Sequence, residues 1–127
     1  MADTIAFELV SPERLLLAQP VEMVVVPGTE GNFGVLPGHA PLISTVRPGV
    51  IEIFEGGRVA ERIFVAGGFA EVTPQRCTVL AERATPVADI DRATVERKLR
   101  DDREDGNAAE VAIGEAMLAA VEAPVQH

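Results

Sequence analysis

The chain has 127 residues, 47% of them hydrophobic, with 11 Lys or Arg against 20 Asp or Glu and a formal charge of −9 at pH 7. This length predicts one domain or one domain with an appendage, and the hydrophobic fraction argues against a disordered chain. The negative charge disfavours nucleic acid as a partner, and no apolar run approaches the roughly 18 residues that would indicate a transmembrane segment.

Composition divides the chain near Pro86. Residues 1–86 hold eight of the nine prolines and nine of the eleven glycines, which is typical of short strands joined by many turns. Residues 87–127 hold only three residues of these two types, which favours helix. We therefore predict a mainly β domain over residues 1–86 and a C-terminal helical hairpin over residues 87–127.

The β domain begins with a strand in which Ile5, Phe7 and Leu9 form one buried face at period two. The Gly-Gly pair at residues 56–57 predicts a tight hairpin turn, because glycine adopts the positive φ that such turns need. The sequence TPQR at residues 73–76 predicts a second turn. Roughly eight to ten short strands indicate a β-sandwich or a flattened barrel.

Two helices are predicted after the β domain. Asp89 is placed to cap a helix that runs to about Asp105. Gly106 is a suitable stop for that helix, and Asn107 is a suitable cap for the next one. The second helix carries one apolar stripe made mostly of small side chains: Ala109, Ala112, Ile113, Ala116, Met117, Ala120 and Val121. Because alanine buries little area, we expect the hairpin to be held weakly.

Residue types that carry chemistry are few. Histidine occurs only as His39 and His127, and the single cysteine, Cys77, lies in a predicted strand with no His nearby in sequence. Cys77 is therefore interpreted as a core thiol, and a lone cysteine fits a reducing compartment. The glycine-rich residues 28–34 match neither a Walker nor a dinucleotide pattern. We predict no catalytic residue and no metal site.

Two loop-rich segments carry the most specific signal. Residues 31–44 read GNFGVLPGHAPLIS, and residues 64–72 read FVAGGFAEV. Their motifs, order and spacing closely resemble the epsilon subunit family of the F-type rotary ATP synthase, from about Ile5 to Arg92. The resemblance implies a β-sandwich of about ten strands followed by a pair of helices. It also implies a non-catalytic rotor protein at the foot of the central stalk, which couples proton-driven rotation to ATP synthesis.

The resemblance implies two rotor partners, the gamma subunit and the ring of membrane c subunits. The protein would then be peripheral, at the cytoplasmic face of the bacterial inner membrane. The family's ring-contacting loop falls on Glu30, Gly31 and Asn32. The interface segment beside it comprises Pro37, Gly38, His39, Ala40 and Pro41. Two interpretations of the histidine stay open: it hydrogen-bonds its own loop, or it contacts a partner directly.

A second family motif concerns ATP, which some members bind through Ile/Leu-Asp-x-x-Arg-Ala at the start of the first helix. Residues 88–93 read ADIDRA, so Asp89, Arg92 and Ala93 match, while Ala88 departs from the larger aliphatic residue. Arginine can bind phosphate bidentately, which makes ATP a candidate regulatory ligand although no cofactor is required. The alternative is that Asp89 is only a helix cap and Arg92 only a surface ion-pair partner.

The last helix departs from the family. In relatives that inhibit ATP hydrolysis, it offers basic residues to the catalytic subunits, so the resemblance implies contacts with beta and alpha. Here the segment after residue 106 carries Glu110, Glu115 and Glu122 and no Lys or Arg, and acid facing acid would repel. We expect little inhibition by this helix, and a β core that still folds when the chain is truncated after Arg83.

Three classes of function therefore stay open. The first is a mechanical rotor subunit. The second is a nucleotide-sensing regulator whose ATP affinity depends on Arg92. The third is a small sandwich enzyme, which the lack of a nucleophile–base pair or metal cluster in the sequence disfavours.

Overall fold

The computed structural model describes residues 3–123. Its strands are β1 (Ile5–Val10), β2 (Leu15–Val21), β3 (Met23–Gly28), β4 (Gly31–Val35), β5 (Leu42–Thr45), β6 (Gly49–Glu55), β7 (Arg58–Val72) and β8 (Arg76–Pro86). A 3-10 turn over Val87–Asp89 leads to helices α1 (Arg92–Glu104) and α2 (Ala108–Glu122). The predicted mainly β fold with a two-helix appendage is confirmed.

The strands form two packed layers that share the long strands β7 and β8. One layer runs β4-β3-β6 and continues into the first half of β7 and the second half of β8. The other layer contains β2, β1, the first half of β8, the second half of β7, and β5. Counting β7 and β8 once in each layer gives the ten strands expected for the family, while residues 3–123 contain eight continuous strands.

A glycine pair at residues 67–68 allows β7 to pass between the layers. Before the pair, Ile63 and Val65 face the core; after it, Ala70 and Val72 do. The inward face therefore changes from odd to even residues, which an uninterrupted strand cannot do. Positive φ values of 75° and 102° at the two glycines break the extended conformation and produce this change.

The core between the layers is built from the alternating side chains that the sequence predicts. Ile5, Phe7 and Leu9 are all buried, as the period-two pattern indicates. Cys77 is also fully buried, and this burial raises the pKa of its thiol to about 12, so it behaves as a core residue. The turns predicted at residues 56–57 and 73–76 join β6 to β7 and β7 to β8.

Helix α1 begins later than predicted. Its cap is Asp91, whose carboxylate accepts from the amide of Ala93 at 3.1 Å, so the prediction that Asp89 caps this helix is wrong. Asp89 lies in the preceding 3-10 turn, and Ile90 is extended, which delays the first helical residue. Asn107 caps α2 as predicted, by accepting from the amide of Glu110 at 3.2 Å.

The helical hairpin lies on the outer face of the layer that contains β6. Phe64, Ala66 and Ala120 are buried at this contact, with partly buried neighbours Val50, Val87, Ile90, Ile113, Ala116 and Met117 around them. The predicted stripe of α2 is only partly correct, because Ala109 and Ala112 are exposed. The buried face is rotated toward Gly114, against which Leu99 of α1 packs.

Candidate functional site: two loops beside an uncovered sheet face

The first predicted interface loop is the tip of the β3–β4 hairpin. A two-residue turn, Thr29 and Glu30, is closed by the pair Gly28 and Gly31. The backbones approach closely here, since a Cβ on Gly28 would lie 2.9 Å from the carbonyl oxygen of Gly31. Thr29 also bonds Thr45 of β5, hydroxyl to hydroxyl at 2.8 Å and amide to carbonyl at 3.1 Å. The tip is thus exposed but tied to the neighbouring strand.

Arg47 clamps this hairpin from the side. One guanidinium nitrogen donates to the carbonyl oxygen of Gly28 at 2.5 Å, and the other donates to Oδ1 of Asn32 at 2.6 Å. The amide of Arg47 donates to the carbonyl oxygen of Pro27 at 2.9 Å. Sequence reasoning gave Arg47 no role, because its side-chain partners lie 19 and 15 residues away and no local pattern marks them.

The second predicted interface segment, residues 37–41, forms a tight turn beside β5. Gly38 has a φ of +84°, and the amide of His39 donates to the carbonyl oxygen of Leu36 at 3.1 Å, which matches a type II turn. The amide of Gly38 donates to the carbonyl oxygen of Pro74, at 2.8 Å. This second bond ties the segment to the β7–β8 turn.

His39 hydrogen-bonds its own loop, as the first of its two interpretations states. Its Nδ1 lies 2.6 Å from the carbonyl oxygen of Ala40. A carbonyl can only accept, so Nδ1 carries the hydrogen in this bond. Contact between His39 and a partner stays a prediction.

One outer sheet face carries exposed apolar side chains. Ile43 is 70% exposed and Phe69 is 44% exposed. In the strand register, Phe69 pairs with Leu80, and Leu80 pairs with Val10, so these side chains share one face. We call Val10, Ile43, Phe69 and Leu80 the outer strip. The hairpin covers the other layer, and nothing within residues 3–123 covers this one, which is the usual mark of an interaction surface.

The charged residues of α2 are used in holding the hairpin. Arg83 of β8 donates to both carboxylate oxygens of Glu110, and Lys98 of α1 donates to one of them at 3.0 Å. These two cations hold the pKa of Glu110 down at about 2. Glu115 likewise pairs with Arg103 at 3.2 Å. The acids that the sequence suggested would repel a partner instead bind cations of this chain.

The candidate ATP residues lie close together in sequence around the start of α1, and the polar groups of Arg92 and Ala93 are engaged. Arg92 pairs with Glu96 at 2.9 Å and with Glu122 of α2. The amide of Ala93 donates to the capping carboxylate of α1. Asp89 is exposed in the 3-10 turn. The surface ion pair proposed as the alternative for Arg92 is therefore present, and nucleotide binding stays a prediction.

Residues 3–123 contain neither a metal-binding cluster nor a membrane-spanning helix. No group of three or more His, Cys, Asp or Glu residues in this part of the chain could hold a metal ion. Neither α1 nor α2 is long and apolar enough to cross a membrane.

Comparison with known proteins tests the resemblance. Residues 4–87 match the family model described as ATP synthase, Delta/Epsilon chain, beta-sandwich domain. The ATP synthase epsilon chain of Rhodospirillum rubrum is 59% identical over 131 residues, which cover 94% of this chain and 98% of the relative. That of Paramagnetospirillum magneticum is 50% identical over 132 residues, which cover 95% of this chain and 99% of the relative.

Solved structures share the fold. A chain of the Euglena gracilis mitochondrial ATP synthase (OSCP/F1/c-ring) has a TM-score of 0.84 at 24% identity, covering 96% of this chain and 84% of that chain. A chain of the Tetrahymena thermophila mitochondrial ATP synthase (central stalk/c-ring) has a TM-score of 0.60 at 14% identity, covering 92% and 96%. The family match and the identity to epsilon chains confirm the expectation from the two loop motifs: this chain belongs to the epsilon subunit family of the F-type ATP synthase.

Proposed function

We propose that the chain is a non-catalytic rotor subunit of the central stalk, which joins the gamma subunit to the c ring and carries proton-driven rotation toward the catalytic sites. Its relatives are epsilon chains, and chains of the same fold occur in ATP synthase structures that include the c-ring and the central stalk. The observation that carries the proposal is the outer strip, an apolar face left uncovered beside two tied loops. The protein then acts as a peripheral subunit at the cytoplasmic face of a bacterial inner membrane.

The strip and the β3–β4 tip form one continuous surface. Strand β5 carries Ile43, and two residues later Thr45 bonds Thr29 at the tip. We assign the tip, with Glu30, to the c ring and the strip to gamma. An apolar patch bordered by a polar, rigid loop fits the buried core and polar rim of a protein interface.

Binding to the enzyme complex tests this proposal. Ile43→Asp and Phe69→Asp each place a charge on the strip and should weaken binding to epsilon-depleted ATP synthase about tenfold or more. Ala109→Asp is the control, because Ala109 is exposed on α2, which lies over the opposite layer of the sandwich. Equal binding of the two strip variants and wild type would reject the assigned face.

We also propose that the hairpin regulates ATP hydrolysis only weakly. Extension toward the catalytic beta and alpha subunits would unpair Glu110 from Arg83 and Glu122 from Arg92. The freed carboxylates would then meet an acidic partner, which opposes inhibition by this route. ATP is proposed as a candidate ligand, and it would have to displace Glu96 and Glu122 to reach Arg92.

A further inference from the structure

We propose that Arg47 fixes the hydrogen-bonding direction of the β3–β4 tip, so that Asn32 presents its amide hydrogens outward and the partner meets it with an acceptor. The acceptor would be a backbone carbonyl or a carboxylate on the contacting loop. This inference deepens the proposed function and rests on it, since the partner surface is the one proposed above.

The direction of the Asn32 amide follows from the chemistry of its neighbour. An arginine side chain has five N–H donors and no acceptor. Asn32 therefore faces Arg47, 2.6 Å away, with its oxygen, whichever way the amide is drawn. The guanidinium cannot turn to release it freely, because the other nitrogen is held by the carbonyl oxygen of Gly28.

The other end of the Asn32 amide is left for a partner. Asn32 is exposed, and no acceptor within residues 3–123 takes a hydrogen from its Nδ2. The backbone beneath it is held in place by the bonds of Thr29 to Thr45 and of Arg47 to Pro27. A donor presented from a rigid loop loses little conformational entropy on binding, so it discriminates between donor and acceptor partners.

Two substitutions of Asn32 separate the clamp from the outward donor. Asn32→Asp keeps an oxygen toward Arg47 and adds a charge, but its outward atom becomes an acceptor. Asn32→Leu has nearly the same size and removes both groups. Asn32→Asp should be at least as thermally stable as wild type, because a charged acceptor strengthens the bond to Arg47. Asn32→Leu should be less stable than wild type. Wild type should bind the partner most tightly, Asn32→Leu less tightly and Asn32→Asp least tightly.

The test is that thermal stability and affinity rank the Asn32 variants differently. If Asn32 had only a structural role, the least stable variant would also bind most weakly. We would measure thermal unfolding of the full chain and its affinity for detergent-solubilised ATP synthase depleted of its epsilon subunit. Asn32→Asp should bind about tenfold more weakly than wild type, and Asn32→Leu about threefold. Arg47→Lys, which keeps one donor group, should bind better than Arg47→Met.

The failures of the two proposals are distinguishable. If wild type does not bind the depleted complex, the rotor function and this inference both fail. If wild type binds and Asn32→Asp binds equally well or more tightly, the partner does not offer an acceptor, so this inference is overturned while the rotor function stands. A loss of stability in Asn32→Asp would overturn the role given to Arg47.

Discussion

Arg83 in strand β8 donates both terminal nitrogens to the two carboxylate oxygens of Glu110 in helix α2, at 3.0 and 2.7 Å. This bidentate pair joins the sandwich to the hairpin across 27 residues of sequence. A second tie lies near the other end of α2, where Arg62 of β7 donates to the carbonyl oxygen of Ala120 at 2.8 Å. The hairpin is therefore held by polar contacts at both ends and by a small apolar patch between them.

Removing the charge of Glu110 should loosen the hairpin. In Glu110→Gln, Arg83 and Lys98 both lose a charged partner, so amide hydrogens of α2 should exchange roughly three to ten times faster. Hydrogen exchange followed by mass spectrometry gives this rate directly. Glu104→Gln, at the exposed end of α1, is the control. Equal exchange in Glu110→Gln and wild type would show that the ion pairs of Glu110 do not help to hold α2.

Acid should loosen the same contact. The pKa of Glu110 is about 2 in the folded chain against an ordinary value of 4.5, because Arg83 and Lys98 favour its charged form. Its contribution to docking is thus present above about pH 4.5 and is lost as the pH falls toward 2. NMR contacts between Phe64 and Ala120, followed from pH 6 downward, should weaken in that window for wild type. If these contacts depended on pH in the same way in wild type and in Glu110→Gln, Glu110 would not be the group that titrates.

Gly68→Ala should destabilise the sandwich severely. The residue has a φ of +102°, and an added Cβ would lie 1.8 Å from the carbonyl oxygen of Leu80. We expect a loss of about 3 kcal/mol or more in the free energy of unfolding, measured by urea titration. Gly57→Ala is the matched control: its φ is also positive, at +76°, but its Cβ would meet open space. It should lose only about 1 kcal/mol. Similar losses in the two variants would refute the steric argument.

The truncation point expected from the sequence is wrong. Ala84, Thr85 and Pro86 pair with Val65, Phe64 and Ile63, so a cut after Arg83 would remove part of a central ladder. The sandwich ends with the 3-10 turn that follows β8, and a cut must leave that turn in place.

A chain ending at Ile90 should keep the β fold. Loss of the hairpin uncovers Phe64, which is 1% exposed in the full chain, so the free energy of unfolding should fall by about 2 kcal/mol. Complexes rebuilt with this chain should synthesise ATP at a near-normal rate and hydrolyse it only slightly faster. A many-fold increase in hydrolysis would mean that the hairpin inhibits strongly, despite the lack of Lys and Arg in α2.

ATP should bind the isolated chain weakly, if it binds at Arg92. The nucleotide must compete with two carboxylates, so Glu122→Gln should raise the affinity about threefold. Arg92→Ala should abolish binding, and titration calorimetry measures all three proteins. Saturable binding that Arg92→Ala leaves unchanged would place the site elsewhere.

Local signals predicted the fold better than they predicted the contacts. The burial of Ile5, Phe7 and Leu9 follows from the alternation within a single strand, so it could be predicted from the local sequence. Asp89 and Asp91 are equally good caps by residue type, and the choice depends on Val87 and Ile90 packing against Phe64, which no local pattern reveals.

The partners of the charged side chains were equally hard to predict from the sequence. The sequence shows that α2 has acids and no bases, but their partners lie on β8 and α1 and become neighbours only on folding. Arg47 reaches its two acceptors across a turn and a whole strand. Pairings of this kind depend on tertiary geometry, so composition alone could not identify them.

The sharing of β7 and β8 between layers has a mechanical consequence. In a sandwich whose layers touch only through side chains, a sideways load on one layer can slide it across the other. Here β7 carries residues of both surfaces: Phe64 lies in the patch beneath the hairpin, and Phe69 lies in the outer strip five residues later. A force on one face therefore travels to the opposite face along covalent backbone, which makes the sandwich resist shear as a single stiff block.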